Sequence, residues 1–356
     1  MTVLCLVEHE SGDVVDASAA ALTFARKIAH AGGPVGWSPP GRHAPQAGPA
    51  GAGSPGGEPA AGLAAVAVGA AGTLPRDQMA AFGAGDVYAV ESDRLTSYAP
   101  LAWARALAAV AETSSAAVVV AAGTDRGNEV MAHLGALTGQ PMVAGCVSAA
   151  RTPGDAATLQ IVRQRWAGSL VEDAVLDASP ALLTVAYDAV PAVTAAVPGA
   201  ARVHVHTPAI SDDDLEVHVI ESAPPGSGAS LATARVVVGG GRGVGGPDGF
   251  GALEELARLL GGAVGVSRVV TSQGWRPHTQ QVGQTGTRIA PELYLACGIS
   301  GAIQHMAGCL GAKHIVVINT DADAPIIGHA DYAVIGDLKE VVPALVAAIR
   351  ARNGSR

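Results

Sequence analysis

Residues 281–305 read QVGQTGTRIAPELYLACGISGAIQH, and no other stretch constrains the chain as tightly. Two glycine turns, QVGQTG and GISGAIQH, stand on either side of an apolar strand. Glycine lets backbone N–H groups come against a phosphate or a ring edge with no Cβ in the way. Each turn also carries polar side chains that can reach a planar heterocycle: Gln284 and Thr285 in the first, Ser300, Gln304 and His305 in the second. One glycine turn is a weak signal. Two in this order, with these side chains, are a strong one.

The rest of the chain supplies a sheet to hang them on. Short apolar strands at 3–7, 63–68, 86–90 and 116–121 alternate with helical spacing at 17–29, 98–112 and 128–138. Strands and helices in alternation at this spacing predict βαβ units and a mostly parallel sheet. Segments 158–166, 181–186 and 215–221 add a strand-rich end. The run APPGSGAS at 223–230 is the domain boundary, and the rhythm then restarts. Strands are expected at 235–238, 263–266, within 288–297, at 314–319 and at 332–335, with helices at 249–260, 302–307 and 338–350. The expectation is an α/β chain of two domains, 1–222 and 223–356, each a mostly parallel sheet with flanking helices, the second Rossmann-like. Segment 33–62, rich in Pro, Gly and Ala, has no periodicity and too little to bury. It is expected to be a flexible insertion in the first domain.

Composition narrows the partners. At 356 residues there is room for two real cores. The net charge is −9 and the basic residues form no block or stripe, which speaks against nucleic acid. The longest apolar run, 63–71, is far too short for a membrane span. The first residues, MTVLCLVEHESG, have no basic region and read as a first strand, not a secretory leader. Cys5, Cys146, Cys297 and Cys309 are scattered without a CxxC pair, as expected of reduced, buried thiols in a cytoplasmic protein.

A second glycine run, VVVGGGRGVGGPDGF at 236–250, fits G-x-G-x-x-G through Gly241, Gly243 and Gly246. Alone it suggests a nicotinamide dinucleotide, with the pyrophosphate at the N-terminus of the helix behind it. That reading wants an acidic residue about 20 positions on, for the ribose. Ser267 and Arg268 stand there instead. Arg242 inside the glycine cradle favours contact with an anion. Arg268, at the end of a parallel strand, lies where ligands bind in open α/β sheets, and a guanidinium there can stack on a ring face. As a lone residue it reads as surface; its neighbours reverse that. Asn319 ends a strand, and Asp337 sits where a helix N-cap is expected.

The motifs GGRG, VGVSR, QVGQTG, GISGAIQH, VVIN and GDL, in this order and spacing across 234–349, resemble the flavin domain of the alpha subunit of electron transfer flavoproteins. That family includes nitrogen-fixation and carnitine-associated carriers. The first domain is similar more weakly, through LVEHESG and VVVAAGTDRGNEVMAHLGALTG. The resemblance implies FAD as cofactor. It implies as contacts Arg242, Ser267, Arg268, Val282, Gly283, Gln284, Thr285, Ser300, Gly301, Ala302, Ile303, Gln304, His305, Asn319, Asp337 and Leu338, with Arg268, Thr285 and His305 facing the isoalloxazine. It also implies a beta subunit as partner, flavin dehydrogenases as donors, and a quinone reductase or similar acceptor. The expected role is an electron carrier with no substrate site of its own. The alternative is the nicotinamide-binding subunit of a transhydrogenase-like enzyme, and the missing ribose carboxylate weighs against it.

Overall fold

A computed structural model describes residues 2–30, 62–152, 155–166, 168, 170–186, 190–220, 231 and 234–354. All of segment 33–62 except Gly62, and the whole of 223–230, lie outside the described residues. The chain divides into two compact units, Met1–Ser222 and Ala223–Arg356.

In the first unit the described residues form a nine-stranded sheet. Seven strands are parallel, in the order Arg202–His206, Asp86–Val90, Leu63–Val68, Thr2–Leu6, Ala116–Ala122, Ala181–Val185 and Met142–Thr152. Asp155–Arg165 and Leu170–Asp177 extend the sheet antiparallel. The central strands are apolar at nearly every position, Thr2 and Thr184 excepted, because helices cover both faces. Val3 and Cys5 point into one core with Leu22 and Phe24 of helix Asp16–Ala29; Leu4 and Leu6 point into the other with Leu107 of helix Pro100–Thr113 and Met131 of helix Asp125–Thr138.

One strand expectation fails. Segment 215–221 is not a strand; its described part leaves a 3-10 turn at Asp213–Leu215 and forms no ladder. Asp214 explains the turn. It is 1% exposed, its Oδ2 accepts from the Ser211 amide and hydroxyl, and its Oδ1 accepts from Arg105 Nε at 2.7 Å. Val217 and Ile220, apolar residues of the expected strand, face solvent.

The second unit carries a five-stranded parallel sheet in the order Ala263–Val266, Val236–Gly240, Leu293–Cys297, His314–Asn319 and Tyr332–Ile335. One face packs Phe250, Leu253 and Leu256 against Val342 and Val346 of helix Leu338–Gly354. The other buries Tyr294, Ile299, Met306, Cys309 and Ile326. The chain leaves the Val236–Gly240 strand toward one side, to Ala263–Val266, and then crosses to the other side, to Leu293–Cys297. The crevice at the carboxyl ends of strands that part in this way is where open α/β sheets take ligands.

Candidate cofactor cleft

Glycine sets the walls of that crevice. Gly241 N–H donates to the Cys297 carbonyl at 2.9 Å, Gly243 N–H to the Gly298 carbonyl at 3.1 Å, and Gly298 N–H to the Ile318 carbonyl at 2.8 Å. The loops after three strands are thereby joined backbone to backbone. A Cβ on Gly243 would come within 2.7 Å of Gly298 Cα. The glycine run at 236–250 therefore serves loop contact, and the helix it was expected to open starts only at Gly251, after two 3-10 turns. Gly241 and Gly246 do not reach the cleft wall, whereas Gly243 does.

The two signature turns also bind each other. Gln284 N–H donates to the Gln304 carbonyl at 2.7 Å, and a Cβ on Gly283, at φ +144°, would lie a tight 3.0 Å from that same carbonyl. Gln281, 2% exposed, steadies the first turn. Its Nε2 donates to Thr285 Oγ1 at 2.9 Å, and its Oε1 lies 2.6 Å from Thr271 Oγ1. In the second turn Asn319 Nδ2 donates to the Ile299 carbonyl at 3.0 Å and Asn319 Oδ1 accepts from the Asp321 amide at 3.1 Å.

These turns enclose a cleft of about 480 Å³, within the range of small-molecule sites. Thirteen of the residues singled out from the sequence line it. Arg242, Ser267 and Arg268 come from the first two strand ends. Val282, Gly283, Gln284 and Thr285 come from the first turn, and Ser300, Gly301, Ala302, Gln304 and His305 from the second, with Asn319 at the end of the next strand. Three are not brought there. Ile303 is 72% exposed and off the lining. Leu338 is buried in the core against Val342. Asp337 Oδ1 accepts from the Lys339 amide at 2.9 Å, the cap role its position allowed. Gln281, Gly298, Ile299, Thr320 and Ala324 line the cleft without having been singled out. Gln281 stood at the edge of the motif; Thr320 and Ala324 lie in the loop after strand His314–Asn319, and nothing local marks them.

The chemistry of the cleft is that of a receptor for an anion and a polar ring. Among the described residues neither Arg242 nor Arg268 pairs its guanidinium with a carboxylate. Among the described residues, Ser267 Oγ and His305 Nδ1 are buried with no hydrogen-bond partner, a state that costs free energy. Burial pushes the His305 pKa down to about 4, with the Val282 backbone opposing from outside hydrogen-bonding geometry, so the ring is neutral at neutral pH. Burial holds the Cys297 and Cys309 thiols up at about 12, which removes them as nucleophiles. No group of three or more metal-binding side chains occurs among the described residues.

Fold and cleft define a cofactor-binding α/β protein whose site lies at a switch point of a parallel sheet. Residues 230–310 match the family model described as the electron transfer flavoprotein FAD-binding domain, and residues 55–213 match that of the electron transfer flavoprotein domain. The electron transfer flavoprotein alpha subunit of Mycobacterium leprae is 38% identical over 272 residues, 76% of this chain and 83% of that protein. Protein FixB of Bradyrhizobium diazoefficiens is 35% identical over 275 residues, 76% of this chain and 74% of that protein. The alpha subunit of Paracoccus denitrificans reaches 50% identity over 139 residues, 39% of this chain and 45% of that protein.

The chain belongs to the electron transfer flavoprotein alpha-subunit family, and its cofactor is FAD. The unpaired guanidinium groups suit a pyrophosphate or a ring that gains negative charge, and the unpartnered Ser267 and His305 atoms suit a heterocycle rich in polar edges. The transhydrogenase alternative finds no support in these relatives.

Proposed function

We propose that this chain is the alpha subunit of a two-subunit electron carrier that takes electrons from flavin dehydrogenases and delivers them to an acceptor such as a quinone reductase. FAD supplies the one- and two-electron redox chemistry. The residues of this chain hold and tune it. In this reading the 223–356 domain binds FAD, with Arg268, Thr285 and His305 toward the isoalloxazine and Arg242 toward the phosphates. Thr285 accepts a hydrogen bond from Gln281, which leaves its own proton for the ligand. Neutral His305 contributes a dipole without a charge.

The observation that carries this reading is the meeting, in one cleft, of two unpaired guanidinium groups with two buried, unpartnered polar atoms. The names of the relatives support a beta subunit as the partner that completes the site. Among the described residues no helix is long and apolar enough to cross a membrane, and all four thiols are free and buried. Both fit the cytoplasm, where we place the protein.

The test is coexpression with a beta subunit. A yellow complex of equal stoichiometry is expected, and acid release should yield FAD. Release of NAD or AMP alone would defeat the assignment. The chain expressed by itself should hold FAD weakly.

A further inference from the structure

Tyr294 lies in neither glycine turn and does not line the cleft. It is fully buried in strand Leu293–Cys297, its phenol pressed against Gly239, where a Cβ would come 2.4 Å from the hydroxyl oxygen. That oxygen lies 2.8 Å from Nε2 of His305, which does line the cleft. Among the described residues the phenol has no other hydrogen-bond partner.

One contact between two groups, each able to give or accept, leaves two arrangements. If the imidazole donates through Nε2, the phenolic proton is left buried with nothing to receive it. If the phenol donates, its proton is received, and the neutral imidazole must carry its own proton on Nδ1, the atom with no protein partner among the described residues. Desolvation raises the phenol pKa well above its usual value, so the proton stays on oxygen, and it keeps the imidazole neutral. The Val282 backbone acts on His305 in the direction that favours a ring proton, as a nearby carbonyl does. The two rings are 6.1 Å apart and tilted by 33°, so the hydrogen bond and not stacking sets their relation.

We propose that Tyr294 is the positioning residue of this site: its hydroxyl donates to Nε2 of His305, fixes the plane of the imidazole, and holds the ring in the tautomer that presents an Nδ1–H donor. The ring that lines the cleft then holds an N–H donor at Nδ1 and never a bare nitrogen there. Only the statement of what that donor faces rests on the cleft being the FAD site.

The experiment uses the complex with a beta subunit, this chain labelled with ¹⁵N-histidine, with FAD bound and after its removal. Long-range ¹H–¹⁵N spectra show which nitrogen of each imidazole bears the proton, and His305→Asn identifies the His305 signals. The expected spectrum near neutral pH has the proton on Nδ1 and a bare, hydrogen-bonded Nε2. Tyr294→Phe should release the lock, so that the Nε2–H tautomer becomes populated, and should lower the potential of bound FAD. A wild-type spectrum with the proton on Nε2 would overturn the proposal whether or not the variant folds. So would an unchanged tautomer in Tyr294→Phe. A released tautomer with an unmoved FAD potential would uphold the Tyr294–His305 pair and count instead against the placement of FAD beside His305.

Discussion

Replacing Gly298 by Ala adds one carbon, and the structure says where it would go. Gly298 ends strand Leu293–Cys297 at φ +63°, the left-handed region. A Cβ built there lies 2.7 Å from Gly243 Cα, 2.8 Å from Leu338 Cδ2 and 3.1 Å from Gly243 C. Leu338 can shift, but the Gly243 backbone cannot without losing its 3.1 Å hydrogen bond to the Gly298 carbonyl. Left-handed backbone costs an alanine about 1–2 kcal/mol, and overpacking against a fixed neighbour costs about 1–3 kcal/mol. The second domain should therefore lose about 2–5 kcal/mol. Hydrogen exchange measures this directly. Amides of strand Leu293–Cys297 should exchange roughly 30- to 4000-fold faster, at tenfold per 1.4 kcal/mol, while amides of strand Thr2–Leu6 in the other unit serve as reference. Gly251→Ala is the control: its Cβ meets nothing within 4 Å, and it opens a helix where Ala is favoured. Wild-type protection in Gly298→Ala would refute the claim that this glycine is required by loop contact.

Other predictions separate binding from folding. Arg268→Ala should lower the FAD potential by about 40 mV for a one-electron couple, the equivalent of about 1 kcal/mol at an exposed cation; Arg268→Lys should not fully restore it, and a dye titration with no shift would remove Arg268 from the ring face. Ser267→Ala removes a buried oxygen with no partner, so the FAD-free protein should unfold at the same urea concentration while FAD affinity falls about tenfold; lost stability with unchanged affinity would reverse the assignment. His305 has a folded pKa of about 4 against 6.5 in the unfolded chain, so the unfolded state binds the extra proton between those values. Stability should be full above pH 6.5 and fall by about 3 kcal/mol as the pH drops toward 4. His305→Asn should flatten that part of the profile, and an unaltered slope in urea titrations would show that another group titrates there.

The C-terminal cleft was legible because its parts are local. A glycine that must admit a neighbouring backbone and a polar side chain one or two positions away lie in one short motif, so spacing carries the geometry. Legibility ended where a role depends on a second element. Tyr294 reads as a strand residue until His305, eleven positions on, proves to lie beside its hydroxyl. Gln281 matters through Thr271 on one side and Thr285 on the other. Asp337 looked able to cap and to bind, and it caps. In the first unit the strand Leu170–Asp177 leaves most of its side chains exposed, so no buried face marked it in advance. The opposite error came at 215–221, where apolar alternation had no layer to pack on and the buried carboxylate of Asp214 decided the local fold.

These differences point to a division of labour within the cleft. Its walls are backbone, fastened by hydrogen bonds between loops at Gly241, Gly243, Gln284 and Gly298, and tight enough that a methyl group does not fit at several of them. Such walls are formed before any ligand arrives, because the same contacts hold the sheet ends together. The exposed side chains on them, Arg242, Arg268, Thr285 and Gln304, have no comparable duty to the fold. Substituting a wall glycine should thus disturb the protein with or without FAD, and substituting an exposed cation should change only what FAD experiences. A carrier gains from that separation. On the proposed placement of FAD, its potential can be adjusted through one side chain at a time, while hydrogen bonds between the loops hold the walls.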